Sequence, residues 1–408
     1  MKRKLISALV AGVFAISPVA MAQQKAAAGK ISDGVVKIGV LSDMSGLYSD
    51  LGGQGSAVAA QMAVDDFGKT VLGAKIEVVS ADHQNNAETG ANRVREWFDR
   101  QQVDMITDVL NSAVAIATSK VANEKKKLSI VVGAASTRIT NEDCNPHTIH
   151  YAYDTFALAN GTGRAIVKTG GDTWFFLTAD YAFGHSLETD TANVVKATGG
   201  KVLGQVRHPL NASDFSSFLL QAQSSKAKIV GLANAGGDTI NSIKAANEFG
   251  ITKNQSLAGL LVFITDIHSL GLSTAQGMLL TDGFYWDMDE QTRQFSKRFF
   301  EKMKKEPSMI HAGVYSATMN YLKAIKAAGT DDAATVVAQM KKMKLDDFFL
   351  RNASLREDNR MIKDMYLMQV KKPSDSKYPW DYYTLKATIP AAEAFQPMSA
   401  SRCPMVKK

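Results

Sequence analysis

The chain has 408 residues, beyond the length at which one hydrophobic core keeps growing, so two or three domains are expected. With 45% hydrophobic and 21% charged residues it has enough apolar surface to offset the conformational entropy of folding, which excludes general disorder. Its length with only two cysteines excludes a small disulfide scaffold, while a formal charge of +7 taken alone points to a polyanion or a membrane.

The N-terminus accounts for part of that charge. Lys2-Arg3-Lys4 is a basic start, Leu5 to Ile16 an apolar run, and Ala20-Met21-Ala22 a small-x-small site, so residues 1–22 read as a secretory signal cleaved after Ala22. The apolar run falls short of the roughly 20 residues that span a bilayer. Removing three cations and no acids lowers the formal charge to +4. In an exported chain the two cysteines suggest one disulfide, Cys144 with Cys403, which would pin the tail to the first third of the chain; two free thiols are the alternative.

After a polar leader, Val35–Leu41 reads as a buried strand, 42–53 as a loop rich in turn formers, and 55–67 as a helix. The unit recurs: strand 75–80 with helix 87–100, strand 105–109 with helix 113–124, and strand 129–132 with a loop. The second third continues with helix 158–169, strand 173–177, helix 186–198, strand 202–206, helix 215–224, strand 229–232 and helix 239–249. Such alternation predicts an α/β fold of doubly wound parallel sheets, in two lobes because one sheet cannot hold so many strands. Past Thr281 come aromatic Phe284-Tyr285-Trp286, helices over 290–305, 313–328 and 333–343, and strand-like pieces at 348–350 and 365–370. Residues 371–408 are Pro-rich and polar.

Enzyme signatures are absent. There is no GxSxG elbow and no HExxH, Gly68-Lys69-Thr70 lacks the upstream glycine of a phosphate loop, and Gly161-Thr162-Gly163 lacks the third glycine of a dinucleotide site. No metal or cofactor is expected. Small and hydroxyl residues instead follow each strand: Asp43 to Gly55, Leu110-Asn111-Ser112, Gly133 to Thr137, Asp180 to Gly184, and Asn234 to Asp238. Hydroxyls beside the free amides of helix N-termini bind an anion without a fixed cation, and a carboxylate suits them. Ordinary helix capping is the alternative for Ser112 and Thr137.

At these loops the sequence resembles the periplasmic branched-chain amino-acid (Leu/Ile/Val) binding proteins, solute receptors of ABC transporters. The resemblance is carried by Ile38-Gly39-Val40-Leu41-Ser42-Asp43-Met44-Ser45-Gly46, Ala134-Ala135-Ser136-Thr137, Tyr181-Ala182-Phe183-Gly184 and Gly277-Met278-Leu279-Leu280. It implies a monomeric, two-lobed type I flytrap in the periplasm with three chain crossings, partnered by a membrane permease and its ATPase, and no nucleic acid. The crossings fall near Asp154, Thr281 and Leu355. Lobe 1 is then 34–154 plus 282–355, lobe 2 is 155–281 plus 356–390, and a tail, 391–408, returns to lobe 1. Within the family's loops, Ser112, Ala135 and Thr137, flanked by Asn111 and Ser136, would hold a carboxylate. Leu47, Tyr48 and Leu51 would line the entry, and Tyr181, Phe183, Ala235 and Gly236 would close from lobe 2.

One departure bears on the ligand. The amino-acid receptors place an acid after a late strand of lobe 2 to pair with the ligand ammonium, whereas this chain has Ala258-Gly259-Leu260-Leu261-Val262-Phe263. A buried, unpaired ammonium is costly, so an aromatic or bulky apolar acid without an amino group is expected, with Phe263 and Tyr285, alongside Phe284 and Trp286, as its neighbours. The alternative is that Asp154, Asp180 or Asp238 supplies the charge for a branched-chain amino acid or an amide. A periplasmic α/β enzyme is a more distant reading.

Overall fold

A computed structural model describes residues 31–407, so the expected signal segment, 1–22, lies outside the described residues. Among the described residues fifteen strands carry the architecture. β1 (Val35–Ser42), β2 (Thr70–Val71), β3 (Ala74–Asp82), β4 (Met105–Asp108), β5 (Leu128–Val131) and β6 (Thr148–His150) form one sheet in the order β2-β3-β1-β4-β5-β6. All its pairs are parallel except the β2–β3 hairpin. β4 and β5 are buried throughout and β1 from Ile38 on, as the inner strands of a doubly covered parallel sheet require. Ile38 and Val40 pack toward the helices Gly53–Phe67 and Met309–Ala328, while Leu41 and Ile106 pack toward Ala87–Arg100 and Ser112–Lys125.

The second lobe holds β7 (Thr173–Ala179), β8 (Lys201–His208), β9 (Ile229–Ala233) and β10 (Ser256–Gly259), parallel in the order β10-β9-β7-β8. A third sheet joins β11 (Leu279–Asp282) to two later strands. Between them β12 (Ser354–Leu355) and β13 (Met361–Ile362) make a small hairpin, after which β14 (Met365–Val370) and β15 (Tyr383–Ile389) complete the order β11-β14-β15. This sheet is antiparallel, not parallel as the strand-helix alternation predicts, and no α-helix crosses over between β14 and β15. Of the strand-like pieces, 365–370 is β14, but 348–350 is a turn in which the Asp347 carboxylate accepts from the amides of Phe349 and Leu350, both at 2.8 Å.

Two buried cations tie the crossings together. Arg360 donates from Nη1 to the Tyr153 carbonyl at 2.9 Å, and its Nε lies 3.3 Å from Asp154 Oδ2, at the first crossing. Lys363 donates to the Gly283 carbonyl at 2.7 Å, at the second. Arg360 also bridges to His150 at the edge of the first sheet.

Behind the hinge the helix predicted over 158–169 is in three parts, Thr155–Leu158, a π-helical turn Ala159–Gly163, and Arg164–Lys168. The π turn is buried against β11: Thr162 Oγ1 lies 2.8 Å from Thr281 Oγ1, and a Cβ at Gly161 would sit 2.1 Å from that same hydroxyl. Past β15 the tail crosses back to the first lobe. Asn160 donates to the Glu393 carbonyl, Asn141 accepts from Arg402 N, and Cys403 is bonded to Cys144.

Candidate functional site

The site lies where the loops at the carboxyl ends of the two parallel sheets face each other. After β1, the Asp43 carboxylate accepts from the amides of Gly46 and Tyr48 at 2.7 and 2.8 Å, folding the loop so that Tyr48 and Leu51 are buried. After β4 the chain turns through two left-handed residues, Asp108 (φ 72°) and Val109 (φ 52°), a conformation a β-branched residue rarely takes. That turn delivers Leu110-Asn111-Ser112. Asn111 caps the helix Ser112–Lys125 by accepting from Ala113 N and Val114 N. Ser112 Oγ accepts from Ala135 N and Ser136 N at 3.3 and 3.2 Å, tying the loops after β4 and β5.

From the second lobe, Tyr181 and Phe183 stand at the start of the helix Ala182–Ala197, Ala235 just precedes the helix Gly237–Glu248, and Leu261 and Phe263 follow β10. Neither helix has a side-chain cap at its N-terminus. The Gly237 amide goes instead to the Leu47 carbonyl of the first lobe, and each helix N-terminus carries the positive end of its dipole.

Together these loops surround a cavity of about 20 Å³. Its wall is apolar (Leu51, Leu110, Ala135, Phe183, Ala235, Leu261, Phe263 and Ile310) apart from Gly133, the hydroxyls of Tyr48, Tyr153 and Tyr181, and that of Ser112. No Asp, Glu, Lys, Arg or His lines it. That space holds about one water, so an organic guest is accommodated only as the lobes move apart. The lobes are closed over it. Tyr48 and Tyr181 hydroxyls are 2.6 Å apart, Ser136 and Ser186 hydroxyls 2.6 Å, Thr137 Oγ1 donates to Asp190 at 3.0 Å, and Gly237 N donates to the Leu47 carbonyl at 3.4 Å. Burial raises the Tyr48 and Tyr181 phenols above their ordinary range, so both stay protonated at neutral pH.

The structure brings Tyr48, Leu51, Ser112, Ala135, Tyr181, Phe183, Ala235 and Phe263 to the cavity wall. Asn111, Ser136, Thr137, Gly236 and Tyr285 lie outside it. Asn111 is committed to its helix cap, and Ser136 and Thr137 hold the helix Ala182–Ala197 of the other lobe rather than a ligand. Gly236, at φ 56°, lets the backbone approach the first lobe; a Cβ there would lie 2.8 Å from the Leu47 carbonyl. Tyr285 packs on Tyr383, and Trp286 donates to the Trp380 carbonyl. Phe284 packs on Phe295 and Phe348. Leu47 makes a lobe-to-lobe contact rather than a wall.

Sequence reasoning named Leu110, Gly133 and Leu261 only as parts of loops and passed over Tyr153 and Ile310. Tyr153 sits beside Asp154, which the sequence did single out, and Ile310 lies just ahead of a predicted helix that in fact starts at Met309. Two of the acids weighed as ammonium partners are engaged elsewhere. Asp154 faces Arg360 and Asp180 is paired with His185 at 2.7 Å, while Asp238 accepts from Asn211 N through Oδ2 and keeps its buried Oδ1 without a partner, close enough to act on the Tyr48 and Tyr181 phenols.

Among the described residues no group of three or more metal-ligating side chains forms, and no helix is long and apolar enough to cross a membrane. A family described as periplasmic binding protein matches residues 35–377. A periplasmic binding protein from Burkholderia mallei is 60% identical, covering 92% of this chain and 100% of its own, with a TM-score of 0.91. A branched chain amino acid ABC transporter periplasmic ligand-binding protein from Burkholderia xenovorans is 42% identical, over 91% of this chain and 99% of its own, at 0.81. An ABC transporter solute binding protein from R. palustris in complex with benzoate is 20% identical, over 91% of this chain and 100% of its own, at 0.80.

Proposed function

The chain belongs to the periplasmic binding protein family, non-enzymatic solute receptors that serve a permease and its ATPase, and from that premise we propose that its ligand is a small carboxylate with an aromatic or bulky apolar body and no ammonium group. The observation that carries this reading is the wall of the closed cavity, which offers hydroxyl donors and two uncapped helix N-termini but no acid. A carboxylate gains from those donors and dipoles without a fixed cation. An ammonium would enter without a carboxylate partner, at a cost of several kcal/mol.

Phe183, Phe263, Leu51, Leu110, Leu261 and Ile310 would surround the apolar body. Burying roughly 200 Å² of such a body is worth about 5 kcal/mol. Because the wall is drawn from both lobes, a ligand touching all of it binds the closed state better than the open one, and that difference drives closure. The benzoate held by the R. palustris protein is in keeping with this reading, though at 20% identity that likeness concerns the fold. A branched-chain amino acid is the second reading, favoured by the name of the 42% identical relative.

Titration calorimetry on protein stripped of co-purified ligand tests the choice. Benzoates and phenyl-substituted acids are expected to bind and leucine, isoleucine and valine not to. Micromolar leucine binding with no heat from any acid would overturn the reading.

A further inference from the structure

We propose that the Tyr48–Tyr181 pair selects, among carboxylic acids, those that carry a second, neutral oxygen acceptor on the body, such as a ring hydroxyl, alkoxy or keto group. The proposal rests on the reading that this cavity binds an acid. It follows from hydrogen-bond accounting. Each phenol has one O–H donor and lone pairs to accept. Across the 2.6 Å between the two oxygens one proton is shared, so the pair retains one further O–H, for which the described residues provide no acceptor. Burial keeps that proton in place by raising both phenols.

The other polar atoms of the wall are differently committed. Tyr153 donates to the Gly133 carbonyl at 2.6 Å and has no donor left. Ser112 Oγ takes two backbone amides and keeps its own hydrogen. The wall therefore presents two uncommitted O–H donors on separate supports, one on the loop after β4 and one on a pair that spans the lobes. A ligand with a single carboxylate answers the Ser112 donor; the phenol pair asks for another acceptor. Leaving a buried donor unanswered costs about 1–3 kcal/mol. Because the pair exists only when Tyr48 of one lobe meets Tyr181 of the other, this acceptor is read in the closed state, where it adds to the drive for closure.

Two acids of nearly equal size, 4-hydroxybenzoate and 4-methylbenzoate, differ in the acceptor. Calorimetry on the wild-type protein is expected to show the hydroxy acid binding at least tenfold tighter. Y48F or Y181F alone leaves one phenol donor and keeps most of the preference. The double variant Y48F/Y181F brings the ratio to near one, by weakening 4-hydroxybenzoate more than 4-methylbenzoate. Equal binding by the wild type overturns the proposal but leaves the carboxylate reading standing. A double variant that weakens both acids alike also overturns it, since the pair then serves the carboxylate itself. Failure of every acid to bind overturns both readings. Thermal melts of the variants, expected within a few degrees of wild type, guard against misfolding, and the wild-type ratio needs no variant at all.

Discussion

Asp108 shows how one residue at the base of the site carries a cost. It is fully buried at the end of β4, its two oxygens lack a hydrogen bond of good geometry, and a Cβ on Gly133, at the cavity wall, would lie 2.7 Å from Oδ1. Burial raises its carboxyl to about 6, against the lowering effect of the nearby Ser42 and Ser56 hydroxyls. The folded state then holds the proton more tightly than the unfolded chain, whose carboxyl titrates near 3.8. The contribution of Asp108 to stability is fullest below about 4 and is lost as pH rises through about 6. Asp108→Asn, neutral at every pH and tolerant of the left-handed backbone there, is expected to raise neutral-pH stability by about 1–3 kcal/mol and to flatten its share of that slope. Urea unfolding of both proteins at pH 4, 5, 6 and 7 measures the difference. Parallel slopes would show that Asp108 is already ionised in the fold.

At the scale of elements, the π turn Ala159–Gly163 sits where the first crossing packs on the second. Gly161 is required there by close approach, since a Cβ would press on Thr281 Oγ1 at 2.1 Å and Ile389 Cδ1 at 2.9 Å. Gly161→Ala is expected to destabilise the protein by about 1–3 kcal/mol through overpacking, and Thr281→Ala in the same chain to recover part of the loss. Denaturant midpoints of the single and double variants decide it; additive losses would mean that the two elements do not share that contact. In the sequence this segment reads as plain helix, because Asn-Gly-Thr-Gly gives no periodic sign of an extra residue in a turn. The parallel strands were legible because their apolar runs are bounded by turn formers, and β1 to β9 follow from them apart from short β2 and β6. β15 was hidden in a polar tail because it is a largely exposed edge strand with no buried face to enforce alternation. Within the site, Tyr48, Ser112 and Tyr181 were legible through strand-loop-helix spacing and family likeness. Thr137 was placed with the ligand from the same likeness, but its hydroxyl goes to Asp190, a partner 53 residues on that no local pattern reveals.

The whole molecule is a pair of lobes whose hinge is tied by Arg360 and Lys363 and whose tail, fixed by Cys144–Cys403, adds a further link from the third sheet to the first lobe. Both cations are fully buried, and desolvation pulls Lys363 down to about 7. What the cleft accepts follows from what its wall lacks: a receptor that encloses its guest behind apolar side chains and hydroxyls, with no acid, discriminates against an ammonium. Leucine and 4-methylpentanoate isolate that feature, since they share carboxylate and side chain and differ only in the α-amino group. Their dissociation constants, measured by calorimetry on the same stripped protein, test the central claim most directly. The account predicts that 4-methylpentanoate binds at least tenfold tighter than leucine, and leucine binding as tightly or more tightly would contradict it.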